Sequence, residues 1–272
     1  QVTSGPWIVH QIQHVDAAAR RIYFTAWGRE PGRNPYFKHL YRVGFDGSGL
    51  QLLTPEDADH VISFSPNGRY FVDQMSTFET PARTVLRSAA DGRVIRVLEE
   101  ADISQLAAIG WVPPELFRVK ARDGVTDVYG LMYKPSDFDP SRKYPIVNYI
   151  YPGPQIGSAG DYGWSVGTRG NARALAELGF IVTQIDHLGT VMRSKAFHDH
   201  YYGNMADHGL PDHVAALRQL AAARPYMDLD RVGIYGHWGG GFASTAAMFQ
   251  YPDFFHVAVS TAGNHDNRTY GI

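Results

Sequence analysis

The sequence predicts two unlike halves: about two blades of a β-propeller, followed by an incomplete α/β fold built on a parallel sheet. Three observations carry this. Short β-rich runs recur at an offset of about 45 residues within the first hundred. From about residue 115 the pattern changes to apolar strands alternating with helical segments. Residues 231–242 then read RVGIYGHWGGGF, an apolar strand running into a glycine-rich turn and the start of a helix.

In the first half, residues 21–27, 39–45 and 49–54 read as strands, separated by the turn signals Pro31-Gly32 and Asp46-Gly47. A second set covers residues 61–65, 69–76, 83–89 and 93–98, with turns at Pro66-Asn67-Gly68 and Asp91-Gly92. Arg21-Ile22-Tyr23-Phe24 recurs as Gly68-Arg69-Tyr70-Phe71, and the repeat length is that of one four-stranded blade. Two blades cannot close a propeller, which needs at least about four. The plainer arrangement is a pair of meanders packed on the second half.

In the second half, residues 117–120 and 128–134 pair around Asp123-Gly124, and residues 145–151 form a continuous apolar run suited to a buried strand. A helix is expected over 169–178, a buried strand over 180–185 and a helix over 212–223. Strand 232–235, a helix from Gly241 and strand 256–260 complete the pattern. The domain reading is 1–112 for the propeller part and 113–272 for the α/β part. Loops at the carboxyl ends of parallel strands carry the chemistry of such sheets. Tyr151 and Trp238 both fall at such ends.

The segment around Trp238 has the form of a nucleophile elbow, the feature of an α/β-hydrolase fold in which G-x-S-x-G holds a nucleophile on a strained turn. Here it reads Gly236-x-Trp238-x-Gly240. Indole offers no nucleophilic atom and no proton for a base to take, so position 238 cannot run acyl transfer. A positive φ is expected there, with the indole filling the mouth of the pocket between Tyr151 and Tyr270.

The chain has 272 residues, 44% hydrophobic and 19% charged, the composition of an ordinary soluble globular protein. Its formal charge of −2 excludes a strongly basic surface and argues against a nucleic-acid partner. No apolar run approaches the roughly 20 residues of a membrane span. The start at Gln1, without methionine or signal-peptide pattern, leads us to expect that sequence precedes it. The absence of cysteine excludes disulfides and leaves cytoplasm, periplasm and secretion equally open. No cofactor is expected.

These segments resemble the prolyl oligopeptidase family, in particular its dipeptidyl peptidase IV-like branch. The resemblance rests on Lys143-Tyr144-Pro145 leading to Tyr151-Pro152-Gly153-Pro154-Gln155, on Arg193-Ser194-Lys195-Ala196-Phe197, and on Tyr202-Gly203-Asn204-Met205. Asp228-Leu229-Asp230-Arg231 before the elbow and Tyr251-Pro252-Asp253-Phe254-Phe255 after it extend the match. The resemblance implies the last propeller blades and the N-terminal part of a peptidase domain. It implies a serine-type exopeptidase or oligopeptidase acting on short peptides through an acyl-enzyme. The Tyr151 hydroxyl and the Gly239 N–H would form the oxyanion hole, and Tyr270, Asn264 and Asn267 would line the substrate pocket. A peptide or peptide-like ligand and a homodimer through the hydrolase half are the partners it suggests.

Three departures stand out. Trp238 replaces serine. The triad aspartate and histidine would be expected roughly 70 to 120 residues after the elbow, whereas the sequence ends 34 residues on, at Ile272. Residues 186–193 (DHLGTVMR) replace a glycine-rich Asp-Gly-x-Gly turn. The alternative is therefore a non-catalytic pseudopeptidase that binds peptide or protein.

Other constellations carry less. His256, His265 and Asp266, with Ser244, Ser260 and Thr261, could be read as a substitute triad. But Ser244 falls too far down its helix, and neighbouring His265 and Asp266 should diverge. His198, His200, Asp207, His208, Asp212 and His213 are potential metal ligands, but no metal is expected: a polar loop is the simpler reading, with His213 capping the helix or facing solvent. Glu56, Asp57 and Asp59 read as a solvated loop between blades.

Overall fold

The computed structural model describes residues 1–153, 155–160, 162–204 and 207–266. Two compact units emerge. Unit 1 comprises Gln1–Ile109, Asp161–Ser165 and Met192–Phe197, and unit 2 comprises Gly110–Gly160, Val166–Val191 and His198–Ile272.

Unit 1 holds two four-stranded antiparallel sheets in sequential order. The first contains β1 (Ile8–Asp16), β2 (Arg21–Trp27), β3 (His39–Gly44) and β4 (Gln51–Leu52). The second contains β5 (Asp59–Phe64), β6 (Tyr70–Ser76), β7 (Arg83–Ser88) and β8 (Val94–Glu100). The expected blade strands are present, with β1 added as the fourth strand of the first sheet. The sheets share an apolar seam of Tyr23, Leu40 and Leu53 from the first and Phe71 and Ala89 from the second.

The second sheet also holds a charged cluster centred on the buried Arg87 and Asp73. Arg87 Nε donates to Asp73 at 2.8 Å, and its Nη2 pairs with Glu56 at 2.8 Å. Asp73 also receives His60 Nδ1 at 2.9 Å. Glu56, His60 and Asp73 form a metal-like grouping, with ligand atoms within 4.8 Å of one another. The cation among them is the Arg87 guanidinium. The expected solvated loop is thus corrected in part: Asp59 is buried, held by the Lys38 N–H at 2.9 Å and ammonium at 3.3 Å.

Unit 2 is a sheet in the order β14-β13-β11-β12-β10-β9. Its strands are β9 (Glu115–Lys120), β10 (Asp127–Tyr133), β11 (Tyr144–Tyr149), β12 (Ile181–Ile185), β13 (Met227–His237) and β14 (Val257–Thr261). β11 to β14 are mutually parallel, while β9 and β10 form an antiparallel hairpin at one edge. Of the helices, α1 (Ser104–Ala108) and nearly all of α3 (Lys195–His198) fall in unit 1, and α2 (Ala172–Ala176), α4 (Leu210–Ala223) and α5 (Gly239–Gln250) belong to unit 2. Leu217 and Leu220 of α4 and Ala243 and Ala247 of α5 pack with Ile146, Val232 and Ile234 in one core. On the other face, Val147, Tyr235, Val257 and Val259 line an apolar groove of about 620 Å³.

The chain leaves β11 for β12 on one side and returns to β13 on the other. The carboxyl ends of these strands therefore meet at a topological switch point, where open α/β sheets place their ligand crevice.

The Arg87 cluster gives a test. Asp73→Ala strands a buried guanidinium and should cost about 3–5 kcal/mol in urea unfolding. Glu56→Ala, at a position 39% exposed in its side chain, should cost no more than about 1 kcal/mol. Equal losses would contradict the assignment of Asp73 as the buried counter-charge.

Candidate active site

Trp238 sits at the junction of β13 and α5 with φ 51° and ψ −114°. This is the strained backbone expected of an elbow, and such a conformation costs on the order of 1–3 kcal/mol. The flanking glycines permit it. A Cβ at Gly236 would stand 2.4 Å from the Ile150 carbonyl oxygen and 2.5 Å from the Gly240 carbonyl carbon. A Cβ at Gly240 would stand 2.1 Å from the same Ile150 oxygen. The elbow therefore rests directly on the end of β11, one residue before Tyr151. The Trp238 N–H donates to Thr261 O at 2.9 Å, tying the turn to β14 as well.

The expected placement of the indole between Tyr151 and Tyr270 involves a residue outside the described ones. The indole is 58% exposed and stacks on His237, with ring centroids 5.4 Å apart. An elbow pushes its central side chain away from the sheet, and the nearest partner is the preceding residue. Tyr270 and Asn267, the other expected lining residues, lie outside the described residues. Asn264 is half-buried after β14.

Gly239 opens α5, and the Phe242 N–H donates to Trp238 O at 2.9 Å. The Gly239 N–H lies in the first turn of α5 and has no acceptor within the helix. Tyr151 is half-buried, and its N–H donates to Ser158 Oγ at 3.0 Å. Its hydroxyl makes no hydrogen bond among the described residues. A Cβ at Gly239 would come 3.1 Å from Pro152 O, so the elbow and the Tyr151 loop touch on both sides of the crevice.

The other hydroxyls are committed elsewhere. Ser244 Oγ donates to Gly240 O at 2.7 Å inside α5, and Ser260 Oγ donates to Gly241 O at 2.8 Å. No hydrogen bond joins either to a histidine among the described residues.

Of the candidate ligands, His208, Asp212 and His213 are buried, while His200, like its neighbour Asp199, is exposed as expected of a polar loop. Arg122 binds Asp207 through Nη1 at 2.6 Å and Nη2 at 2.8 Å, and Asp212 through Nε at 2.9 Å. His213 neither caps a helix nor faces solvent. It is fully buried, with Nδ1 2.9 Å from Asn148 Nδ2. Asn148 lies on β11, 65 residues away in sequence, so no local pattern could have revealed the contact. Burial pushes the His187 imidazole down to about 4, against the pull of Asp212 and Asp207 and with Arg122 and His208 adding to the fall. Burial also lowers His208, and holds His213 well below its ordinary value.

Residues 164–272 match the prolyl oligopeptidase family, and residues 1–82 match the dipeptidyl peptidase IV N-terminal region. The chain belongs to the prolyl oligopeptidase family. It is 32% identical over 274 residues to human dipeptidyl peptidase 8, covering 96% of this chain and 30% of the relative. It is 29% identical over 275 residues to a protein of Emericella nidulans named as a probable dipeptidyl-aminopeptidase B, covering 99% of this chain and 29% of the relative. The chain thus spans less than a third of the length of these relatives. The crystal structure of a Bacteroides ovatus protein assigned as a dipeptidyl aminopeptidase IV superposes with a TM-score of 0.82 at 27% identity. That match covers 97% of this chain and 36% of the other.

The buried histidines give a sign-definite expectation. Unfolded, each takes a proton near pH 6.5; folded, His187 resists protonation until about pH 4. Stability should be greatest above pH 6.5 and fall as pH drops through that window, by about 2 kcal/mol at pH 5 for His187 alone. Urea midpoints at pH 7.5 and 5.0 measure this. A midpoint that stays level would contradict it.

Proposed function

We propose that this chain carries the elbow half of a serine-type exopeptidase or oligopeptidase site for short peptides, with Trp238 standing where the nucleophile would be. The observation supporting this most strongly is the positive φ at Trp238 between glycines that rest on the Ile150 carbonyl oxygen. In an acyl-transferring enzyme that backbone presents an Oγ to a scissile carbonyl. The Gly239 N–H and the Tyr151 hydroxyl would receive the developing oxyanion, each donor worth roughly 2.7–4 kcal/mol of barrier. Asn264, with Asn267 and Tyr270, would line the substrate side chain. The peptide substrate, and a homodimer through the hydrolase half, are part of the same reading.

As it stands, the chain would bind rather than cut. An indole supplies neither nucleophile nor exchangeable proton of use to a base. A second reading follows from the exposed ring: a pseudopeptidase that presents Trp238 and His237 to a peptide or protein. The two separate on one substitution. The chain should show no turnover of dipeptidyl amides and no fluorophosphonate labelling, since loss of a triad serine costs on the order of a million-fold. Trp238→Ser in a chain extended to the length of the relatives should gain both. A correctly folded, full-length Trp238→Ser protein that stays inert would remove the peptidase reading in favour of the pseudopeptidase one.

A further inference from the structure

Resting on the proposed peptidase reading, we infer that Asp186 is a positioning residue that fixes the loop bearing Tyr151. Asp186 follows β12 directly, so it stands at the third carboxyl end of the switch point, beside those that lead to Tyr151 and Trp238. It is 1% exposed, and its own N–H is tied to Tyr129 O at 2.9 Å. Its Oδ1 accepts the Ala159 N–H at 3.1 Å. Gly157 passes so close that a Cβ there would lie 2.4 Å from that Oδ1 and 2.9 Å from Thr190 Cγ2. Only a glycine lets the loop descend onto the carboxylate.

From this anchor the contacts run back to the tyrosine. Ser158, between the two residues that Asp186 meets, is fully buried and accepts the Tyr151 N–H at 3.0 Å. Arg169 braces the same stretch from the other side, donating to Gly157 O at 3.2 Å while Gln184 Nε2 holds the Arg169 carbonyl at 2.7 Å. The turn that carries Asp186 is itself immobilised. The His187 N–H donates to Thr190 Oγ1 at 3.0 Å, and the Leu188 N–H donates to Asp212 Oδ2 at 3.1 Å. Asp212 in turn is held by Arg122. A buried, hydrogen-bonded Asp186 side chain thus holds the loop that leads back to Tyr151. An oxyanion donor is useful only if held within about 0.5 Å of its working position. This gives the altered 186–193 stretch a role: although it departs from the family's glycine-rich turn, it keeps the aspartate at its first position.

Two measurements test the inference. In the chain itself, Asp186→Ala should speed amide hydrogen exchange of Tyr151 and Ala159 by at least about tenfold while β11 and β13 keep their protection. Asp186→Asn retains an acceptor oxygen and should restore the slow exchange. Ser158→Ala, which removes only the acceptor for Tyr151, should free Tyr151 and leave Ala159 protected, and it serves if Asp186→Ala fails to fold. In a full-length Trp238→Ser protein, Asp186→Ala should lower kcat on the order of 100-fold with KM little changed, and Asp186→Asn should recover most of it. Unchanged exchange at 151–159, or a loss spread evenly over the sheet, would overturn the inference. So would a fall in kcat that Asn does not rescue. If Trp238→Ser is inert while the exchange pattern appears, the peptidase reading fails and the anchoring of the loop stands.

Discussion

The α/β unit depends on one close approach: two glycines of the elbow pressed against the carbonyl oxygen of Ile150. Gly236 and Gly240 leave no room for a Cβ on either side of that oxygen. Because Ile150 immediately precedes Tyr151, the contact sets the distance between the elbow and the neighbouring loop. The strain at Trp238 is sustained by this packing, together with the bond from its N–H to Thr261 O. Backbone in that region persists only where its surroundings over-determine it. The strain at position 238 is thus a property of the glycine packing around it.

In each unit, arginine charge is met by paired carboxylates. Arg122 gathers Asp207 and Asp212 in unit 2, and Arg87 gathers Asp73 and Glu56 in unit 1. Removing a fully buried member, Asp73 or Asp212, costs far more than the intact group contributes, because an uncompensated charge is left in low dielectric. In unit 2 the group also reaches the loops at the strand ends, since Asp212 accepts the Leu188 N–H in the turn whose first residue, Asp186, binds the Ala159 N–H.

The elbow was legible in the sequence because its cause is local: glycines two residues before and two after the centre are needed for the turn itself. The blades were legible from repeated turns, with one strand missed. β1 shifts register between Val9 and Gln11 and again between Ile12 and His14, which breaks the two-residue alternation that marks a strand. The charged and polar core was not legible. Arg122 meets Asp212 across 90 residues, and His213 meets Asn148 across 65, so no spacing rule connects them. The exposure of Trp238 also escaped, because a large apolar residue at a crevice suggests burial, whereas elbow geometry turns it outward.

The close approach itself is tested by comparing two neighbouring glycines. A Cβ at Gly240 would meet the Ile150 oxygen at 2.1 Å, while one at Gly239 would meet the Pro152 oxygen at a tolerable 3.1 Å. In urea unfolding, Gly240→Ala should lose on the order of 3 kcal/mol, because the obstacle is backbone and cannot swing aside. Gly239→Ala should stay within about 1 kcal/mol of the parent, helped by the better helix propensity of alanine. A Gly240→Ala protein as stable as the parent would show that the elbow does not rest on β11, and the account of the site would fall with it.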